Sequence, residues 1–193
     1  MNGLSDAKTF GTGSIMLGDA TTGTIDAANY NTGVGIDVFA ALTSGDNNTA
    51  IGWSALDANT TGAENTAVGR SALSANTTAA NNTGVGYNAL SLNTTGTGNT
   101  STGAYALQTN STGDSNTAFG FQALRFNTTG TLNTAVGNLA LQDNTTGVQN
   151  AVLGSRCLPD NTTGNGNVGI GEATLYTNTT GDYNIGIGLG ALQ

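Results

Sequence analysis

Histidine is missing from this sequence, and with it the most versatile general base and the commonest metal ligand of proteins. A Ser-His-Asp triad is therefore excluded, and most schemes of general acid–base catalysis lose their usual participant. Cysteine occurs once, as Cys157, so neither an internal disulfide framework nor a cysteine cage for a metal can form. Charged residues make up 8% of the chain, compared with about a quarter in typical globular proteins. These absences argue against an enzyme and against a metalloprotein.

Positive charge is especially scarce. The net charge is −8, and the four cations are scattered, so no basic stripe is available to neutralise phosphates. No apolar run approaches the roughly twenty residues of a membrane span, and residues 1–6 lack the features of a secretory signal. The composition thus predicts neither nucleic-acid binding nor membrane insertion. The four cations are Lys8, Arg70, Arg125 and Arg156.

What the sequence has in abundance is repetition. A seventeen-residue unit begins at ten places with no insertion or deletion, and its last copy stops at Gln193. An unbroken period means that every copy occupies the same cross-section of a stacked object. A composition rich in Gly, Asn and Thr is also typical of disorder, but disordered linkers do not keep an aliphatic residue in register. The copies begin at Asn31, Asn48, Asn65, Asn82, Asn99, Asn116, Asn133, Asn150, Asn167 and Asn184.

Each copy follows the pattern Asn-Thr-Ala-Val-Gly-x-x-Ala-Leu-x-x-Asn-Thr-Thr-Gly-x-x, whose positions we number 1 to 17. Asn at position 1 and Gly at position 5 occur in all ten copies, position 4 is mostly aliphatic, and position 9 is leucine in nine. Cys157 stands at position 8, which is alanine in most copies, and we expect it to be a small buried residue. The structural columns are represented by Asn65, Asn82, Asn116 and Asn133, by Gly69, Gly86, Gly120 and Gly137, and by Leu73, Leu90, Leu124 and Leu141.

The columns favour extended coils over helices, because a recurring glycine in mid-segment is costly in a helix. We expect two short extended segments per coil, Thr-Ala-Val before the glycine and a second around Ala-Leu. Glycine would supply positive φ at the turns, and asparagine would tolerate the left-handed region and stack on itself in a ladder. Positions 4 and 9 would form two continuous apolar spines. The predicted fold is all-β, a parallel β-solenoid, or β-roll, of about ten coils.

Two large aliphatic side chains are few for a coil of seventeen ordered residues, since ordering the backbone carries a large entropic cost. A lone stack is therefore marginal, which favours a homo-oligomer. Residues 1–30 fit the repeat poorly, although Ser14 to Gly18 can be laid over the start of a copy. We expect a leader and a degenerate capping or docking coil over 1–30, followed by the repeat domain over 31–193.

The repeat resembles those of bacteriophage tail-fibre and virion-fibre proteins, over about residues 31 to 193. It is more distantly similar to the Asn-Ser-x-Ala-Ile-Gly coils of trimeric autotransporter adhesin heads, which are homotrimers of left-handed parallel β-rolls. The resemblance implies a homotrimeric shaft or head module at the virion surface, with other virion proteins as partners through the N-terminal segment. The adhesin coil is shorter than seventeen residues, so handedness and strand placement stay open. Such fibres often end in a cleavable chaperone domain, and a removed C-terminal segment is consistent with the final partial copy.

No catalytic, metal or cofactor site is predicted. A glycan-cleaving pair needs two carboxyl groups within about 5–10 Å, and the only glutamates, Glu64 and Glu172, lie more than six copies apart. The sequence has neither an EF-hand loop nor a Gly-Gly-x-Gly-x-Asp repeat for calcium. The Asn-Thr-Thr tripeptides match the glycosylation sequon, but turn chemistry explains them better.

Aromatic residues gather at the variable positions and are the candidate contact residues. Trp53, Tyr87 and Phe121 share position 6 and are two copies apart successively, so they should lie on one edge of the rod. Such an edge could stack on the sugar rings of a host cell-surface glycan. The alternative, which we favour, is contact between subunits or with a neighbouring virion protein. The remaining candidates are Tyr105, Phe126 and Tyr176.

The leading hypothesis is a non-enzymatic structural protein of a phage particle, such as a tail fibre, spike or capsid-surface fibre, that takes part in attachment to the host. The first alternative is ice binding, which favours outward threonines spaced Thr-x-Thr. Here the paired threonines, such as Thr145 and Thr146, are adjacent in a turn, and the position 2 column ends after Thr134. The second alternative is the head of a cellular surface adhesin.

Overall fold

The structure, a computed structural model, describes residues 7–18 and 27–193. Within these residues the chain is all-β, with twelve strands in one sheet and no helix. The strands are β1 (Ala7–Phe10), β2 (Ser14–Leu17), β3 (Thr32–Val34), β4 (Thr49–Ile51), β5 (Thr66–Val68), β6 (Thr83–Val85), β7 (Thr100–Thr102), β8 (Thr117–Phe119), β9 (Thr134–Val136), β10 (Ala151–Leu153), β11 (Val168–Ile170) and β12 (Ile185–Ile187).

Strands β2 to β12 are parallel and follow each other in chain order across the sheet. Each pairs with the next in a register of seventeen residues, so that Thr66 lies opposite Thr83 and Thr83 opposite Thr100. Ten of these strands occupy positions 2 to 4 of the repeat. The prediction of a parallel β-solenoid of about ten seventeen-residue coils is confirmed.

The N-terminal strands extend the same sheet. Ile15 of β2 pairs with Thr32, which places Ser14 to Leu17 on repeat positions 1 to 4. Strand β1 runs antiparallel to β2 and ends the parallel stack on that side. The leader and degenerate coil predicted over 1–30 lie partly outside the described residues, namely at 1–6 and 19–26.

The prediction of a second extended segment around Ala-Leu is wrong. Each coil has one strand, and positions 5 to 12 form two successive turns closed by hydrogen bonds, as in Ala123 N to Gly120 O and Asn127 N to Leu124 O, both 3.3 Å. Leu124 has a φ of 52°, and Ala123 and Leu124 are both fully buried. Successive residues of a strand point to opposite faces, so an extended segment with a single face on the core would expose one of these two side chains, whereas the turned backbone buries both.

Of the two apolar spines predicted at positions 4 and 9, only the one at position 9 lies in the core. Position 9 is fully buried from Phe39 to Leu158 and is joined in the core by the small residues of positions 3 and 8, as at Ala67 and Ala72. Position 4 points away from the core, with Ile51 40% and Leu153 53% exposed. Because position 3 of the three-residue strand faces inward, positions 2 and 4 must face outward. The second spine is therefore a surface feature.

The N-terminal end of the core is filled by larger side chains than the rest. Met16, Val38, Phe39 and Leu42 are all fully buried there. Gly33 lies at the small position 3, and a Cβ atom added there would approach the Val38 and Phe39 side chains to 3.0 and 3.1 Å. Glycine thus provides the room that phenylalanine needs at position 9 of this coil.

Candidate functional site

Two asparagine ladders hold the coils in register and so position every surface column. In the first, at position 1, the backbone N–H of each residue donates to the side-chain oxygen of the residue one coil earlier. Asn82 N lies 3.0 Å from Asn65 Oδ1, and Asn133 N lies 3.0 Å from Asn116 Oδ1. These asparagines are fully buried. A buried amide with its partners supplied is strongly stabilising relative to one left unpaired.

The second ladder lies at position 12 and meets the first at the carbonyl of position 15. Asn127 Nδ2 donates to Asn110 Oδ1 at 2.7 Å and to Gly130 O at 2.9 Å. Asn116 Nδ2, from the first ladder, donates to the same Gly130 O at 2.8 Å. In the part of the chain that the structure describes, every buried side-chain nitrogen or oxygen has a partner. The wide turn of each coil is consequently fixed by buried amides.

The position 5 glycines form the sharp corner that follows the strand. Gly69, Gly86, Gly120 and Gly137 have φ values of 135°, 133°, 141° and 139°, a region that side-chain-bearing residues rarely adopt. A Cβ atom on Gly86 would also lie 2.7 Å from the carbonyl carbon and oxygen of Gly103 in the next coil. The corner therefore has the same shape in every coil, and the side chains of positions 6 and 7 project from it in line.

An aromatic–arginine ladder, made of Trp53, Arg70, Tyr87, Tyr105 and Phe121, runs along this corner. The Arg70 guanidinium lies 4.6 Å from the Trp53 ring centre and 5.7 Å from that of Tyr87. The Tyr87 and Tyr105 rings meet edge to face at 5.1 Å, and those of Tyr105 and Phe121 at 6.2 Å. Trp53 and Phe121 remain 45% and 49% exposed. The ladder spans four coil steps, roughly 19 Å at the usual spacing of β-strands.

A second guanidinium extends the ladder at its side. Arg125 lies 5.2 Å from the Tyr105 ring centre and 4.8 Å from that of Phe126, and its Nε donates to Gln108 Oε1 at 3.0 Å. Cation–π contacts of this kind favour a fixed guanidinium position. Tyr176, by contrast, belongs to a coil three steps beyond that of Phe126 and lies outside the ladder.

Sequence reasoning found the aromatic residues of the ladder and missed its arginines. Arg70 stands at position 6, the same column as Trp53 and Tyr87, and this shared position was the available signal. Arg125 stands at position 10, and only the turned backbone of positions 5 to 12 brings it beside Tyr105 and Phe126.

The strands present a second candidate surface, which we call the outer face: the side chains at positions 2 and 4 of β3 to β12. Its position 4 column is aliphatic in most coils, and its position 2 column is threonine from Thr32 to Thr134. Near the C-terminal end both columns are apolar. A shallow apolar depression of about 270 Å³ lies there, lined by Thr134, Val136, Ala151, Val152, Leu153, Val168 and Ile170.

Among the described residues, several titratable groups have a raised pKa. The described residues contain no group of three or more His, Cys, Asp or Glu side chains placed to hold a metal ion. Burial raises the pKa of Asp57, and nearby Asp37 raises it further. Burial and Asp160 likewise raise the pKa of Asp143. Burial raises the pKa of the Cys157 thiol to about 11, so this fully buried side chain stays protonated at neutral pH.

The described part of the chain contains no helix long and apolar enough to cross a membrane. Comparisons with protein-family models, curated proteins and solved structures give no match. The two surface features, the aromatic–arginine ladder and the outer face, are therefore the basis for a functional proposal.

Proposed function

We propose that this chain is a non-enzymatic structural protein of a bacteriophage particle: a tail fibre, spike or capsid-surface fibre that works as a homotrimer at the virion surface. The observation that carries the proposal is the constant coil, repeated ten times at a strict seventeen-residue register. Such a stack supplies length, stiffness and regularly spaced surface columns. The resemblance of its repeat to phage fibre repeats supports the assignment of this rod to a phage particle.

The aromatic–arginine ladder supports a role in attachment to the host. Exposed rings in a row offer flat apolar surfaces on which sugar rings stack, and two arginines beside them offer donors to hydroxyl or carboxylate groups. Among the components of a host surface, a glycan is the ligand that this chemistry favours, while contact with another subunit or a neighbouring virion protein is the other role that we predicted for these aromatic residues. The N-terminal segment is the proposed attachment point to other virion proteins.

The virion assignment is tested by gold labelling. Antibodies raised against the purified chain should label the fibres or the outer surface of phage particles whose genome carries the gene, as seen by electron microscopy. Particles from a phage that lacks the gene are the control. Labelling of the bacterial surface in uninfected cells, with bare particles, would instead favour a cellular adhesin.

Ice binding is the second candidate, and one observation favours it. The position 2 threonines stand on the outer face in seven successive coils, and Thr100 and Thr102 form a Thr-x-Thr pair there. The position 13 hydroxyls do not contribute, because they are used between coils, as in Thr128 Oγ1 to Thr145 O at 3.0 Å. A clear thermal hysteresis of the purified chain would support ice binding and contradict the virion proposal.

A further inference from the structure

The outer face is an unusual surface for an isolated chain. At position 4, Ile51, Phe119, Leu153 and Ile170 are 40%, 56%, 53% and 42% exposed, and they belong to a column that is apolar in nine of its ten coils, with Thr102 as the exception. In the last coils position 2 is apolar as well, with Ile185 66% exposed. Contiguous apolar patches of this extent mark sites where another molecule binds.

Charge distinguishes the outer face from the rest of the surface. None of the thirty residues of β3 to β12 is charged, whereas the whole chain carries a net charge of −8. The ionised residues of the repeats lie at positions 6, 7, 10, 11, 16 and 17, outside the strands. Two copies of this acidic chain can therefore approach each other through the outer face without repulsion between like charges. At other parts of the surface, the negative charges of the two copies would repel each other.

The period of the face selects its occupant. The outward side chains recur once per strand along the rod and do so through ten coils. A partner with any other spacing would drift out of step within a few coils, whereas a second copy in the same direction stays aligned throughout. A parallel, in-register copy of this chain is therefore the partner that can contact the outer face along its whole length.

The shape of the face is long and narrow. Ten three-residue strands cover roughly 43 by 10 Å, or on the order of 400 Å² of sheet plane per copy. A pair would join roughly 800 Å², which is below the roughly 1,000 Å² at which specific interfaces begin, so the area gives no preference for a dimer. A strand with only two outward residues suits packing around a shared axis, as in the homotrimer of the proposed function.

We propose that the outer face is the interface through which three parallel copies of this chain pack around an axis along the rod. The inference rests on the homotrimer of the proposed function and names the surface that forms it. It leaves the aromatic–arginine ladder, on the neighbouring corner, outside the central seam.

The experiment compares the mass in solution of the parent chain with two doubly substituted variants. Leu153→Glu with Ile170→Glu places two charges on the outer face. Thr163→Glu with Thr180→Glu places the same charges in the same two coils, at exposed position 14. Light scattering after gel filtration should give three times 19.1 kDa for the parent and for the position 14 variant, and 19.1 kDa for the outer-face variant.

The contrary outcomes show whether the proposed interface, the homotrimer, or both are wrong. A trimer that persists in a folded outer-face variant overturns the interface and leaves the homotrimer standing. A monomeric parent chain overturns both. A parent dimer that dissociates in the outer-face variant contradicts packing in threes.

A second measurement covers the case in which the glutamates prevent folding. Spin labels are placed on Val136→Cys or on Thr146→Cys, each in the Cys157→Ala background, since alanine is the usual residue at position 8. Faces in contact pack about 10 Å apart, so labels at residue 136 should show strong dipolar broadening and those at residue 146 much less. Equal or absent broadening at residue 136 overturns the interface.

Discussion

At the scale of single residues, backbone conformation explains which aliphatic side chain each column contains. Position 4 lies in an extended strand, which suits β-branched valine and isoleucine. Position 9 is left-handed in all ten coils, with φ between 49° and 56°, and it carries leucine nine times and phenylalanine once. A β-branched side chain is strongly disfavoured in that region, whereas leucine and phenylalanine branch further from the backbone.

This difference predicts an unequal response to two substitutions at a buried leucine. Leu124→Met should lower the free energy of unfolding by about 1 kcal/mol, because methionine has a similar volume and an unbranched Cβ. Leu124→Ile should cost about 1–2 kcal/mol more, through the left-handed backbone. Urea denaturation measures both. Equal losses would show that the backbone at position 9 does not constrain the side chain.

The raised pKa of Asp57 predicts a pH dependence of stability. A carboxyl whose folded-state pKa is raised contributes stability that is complete below its unfolded pKa and is lost as pH rises through the folded value. Burial, the main cause, penalises the ionised form at neutral pH.

Asp57→Asn removes that penalty and retains an oxygen to accept from Ala58 N. The variant should therefore melt roughly 1 °C higher than the parent at pH 7, with the difference disappearing near pH 3.5. Asp46→Asn, at a carboxyl that accepts from Asn29 N, is the comparison. A difference for Asp57→Asn that grows on acidification would contradict the sign.

At the scale of the coil, two features of the structure require glycine at the corner. One is the positive φ of its backbone, and the other is the close approach of the coil that follows. Gly120 has a φ of 141°, and a Cβ atom there would meet the Gly137 carbonyl, with its carbon at 2.7 Å. Gly188 has a φ of 112°, but nothing lies within 4 Å of its added Cβ atom. The two positions thus separate local backbone strain from interference between coils.

Gly188→Ala should cost about 1–2 kcal/mol, from the unfavourable φ alone. Gly120→Ala should cost at least about 2 kcal/mol more, because the next coil has to move away and its hydrogen bonds lengthen. Chemical denaturation of both variants tests the difference. Similar losses would mean that neighbouring coils yield to a methyl group with little resistance.

At the scale of the whole molecule, stability is a sum over equivalent neighbours, because each coil contacts mainly the coils before and after it. The cross-section is constant, so removing one complete coil rejoins two surfaces that already match. Removing part of a coil leaves too little chain to complete one turn of the solenoid.

The longer deletion should therefore be the milder one. Deleting residues 133–149 should leave a cooperative unfolding transition with a Tm within about 5 °C of the parent. Deleting only residues 142–149 leaves nine residues for that coil and should abolish the single transition. Calorimetry and circular dichroism compare the two proteins. A shorter deletion that is tolerated as well would contradict the strict coil length.

The fold could be predicted from the seventeen-residue period, because a repeat without insertions or deletions leaves few alternatives to stacked coils. The strand at positions 2 to 4 was also predictable, since a small residue lies between two larger ones before a glycine. The turned backbone at Leu124 was not, because an Ala-Leu pair has no alternation that separates a strand from two tight turns. The outward direction of Ile51 followed only once Ala50 was known to face the core. The same turns bring Arg125 beside the aromatic residues, so this contact was not predictable from the sequence either.

The direction of the asparagine ladders has a mechanical consequence. Their hydrogen bonds, like those between strands, run along the rod, so a pull on its two ends loads the junctions between coils in series. The tensile strength of a single chain would then be set by its weakest junction and would not grow with length. Each coil that peels away releases seventeen residues, roughly 55 Å of slack, so a stretched filament would lengthen in steps before it parts.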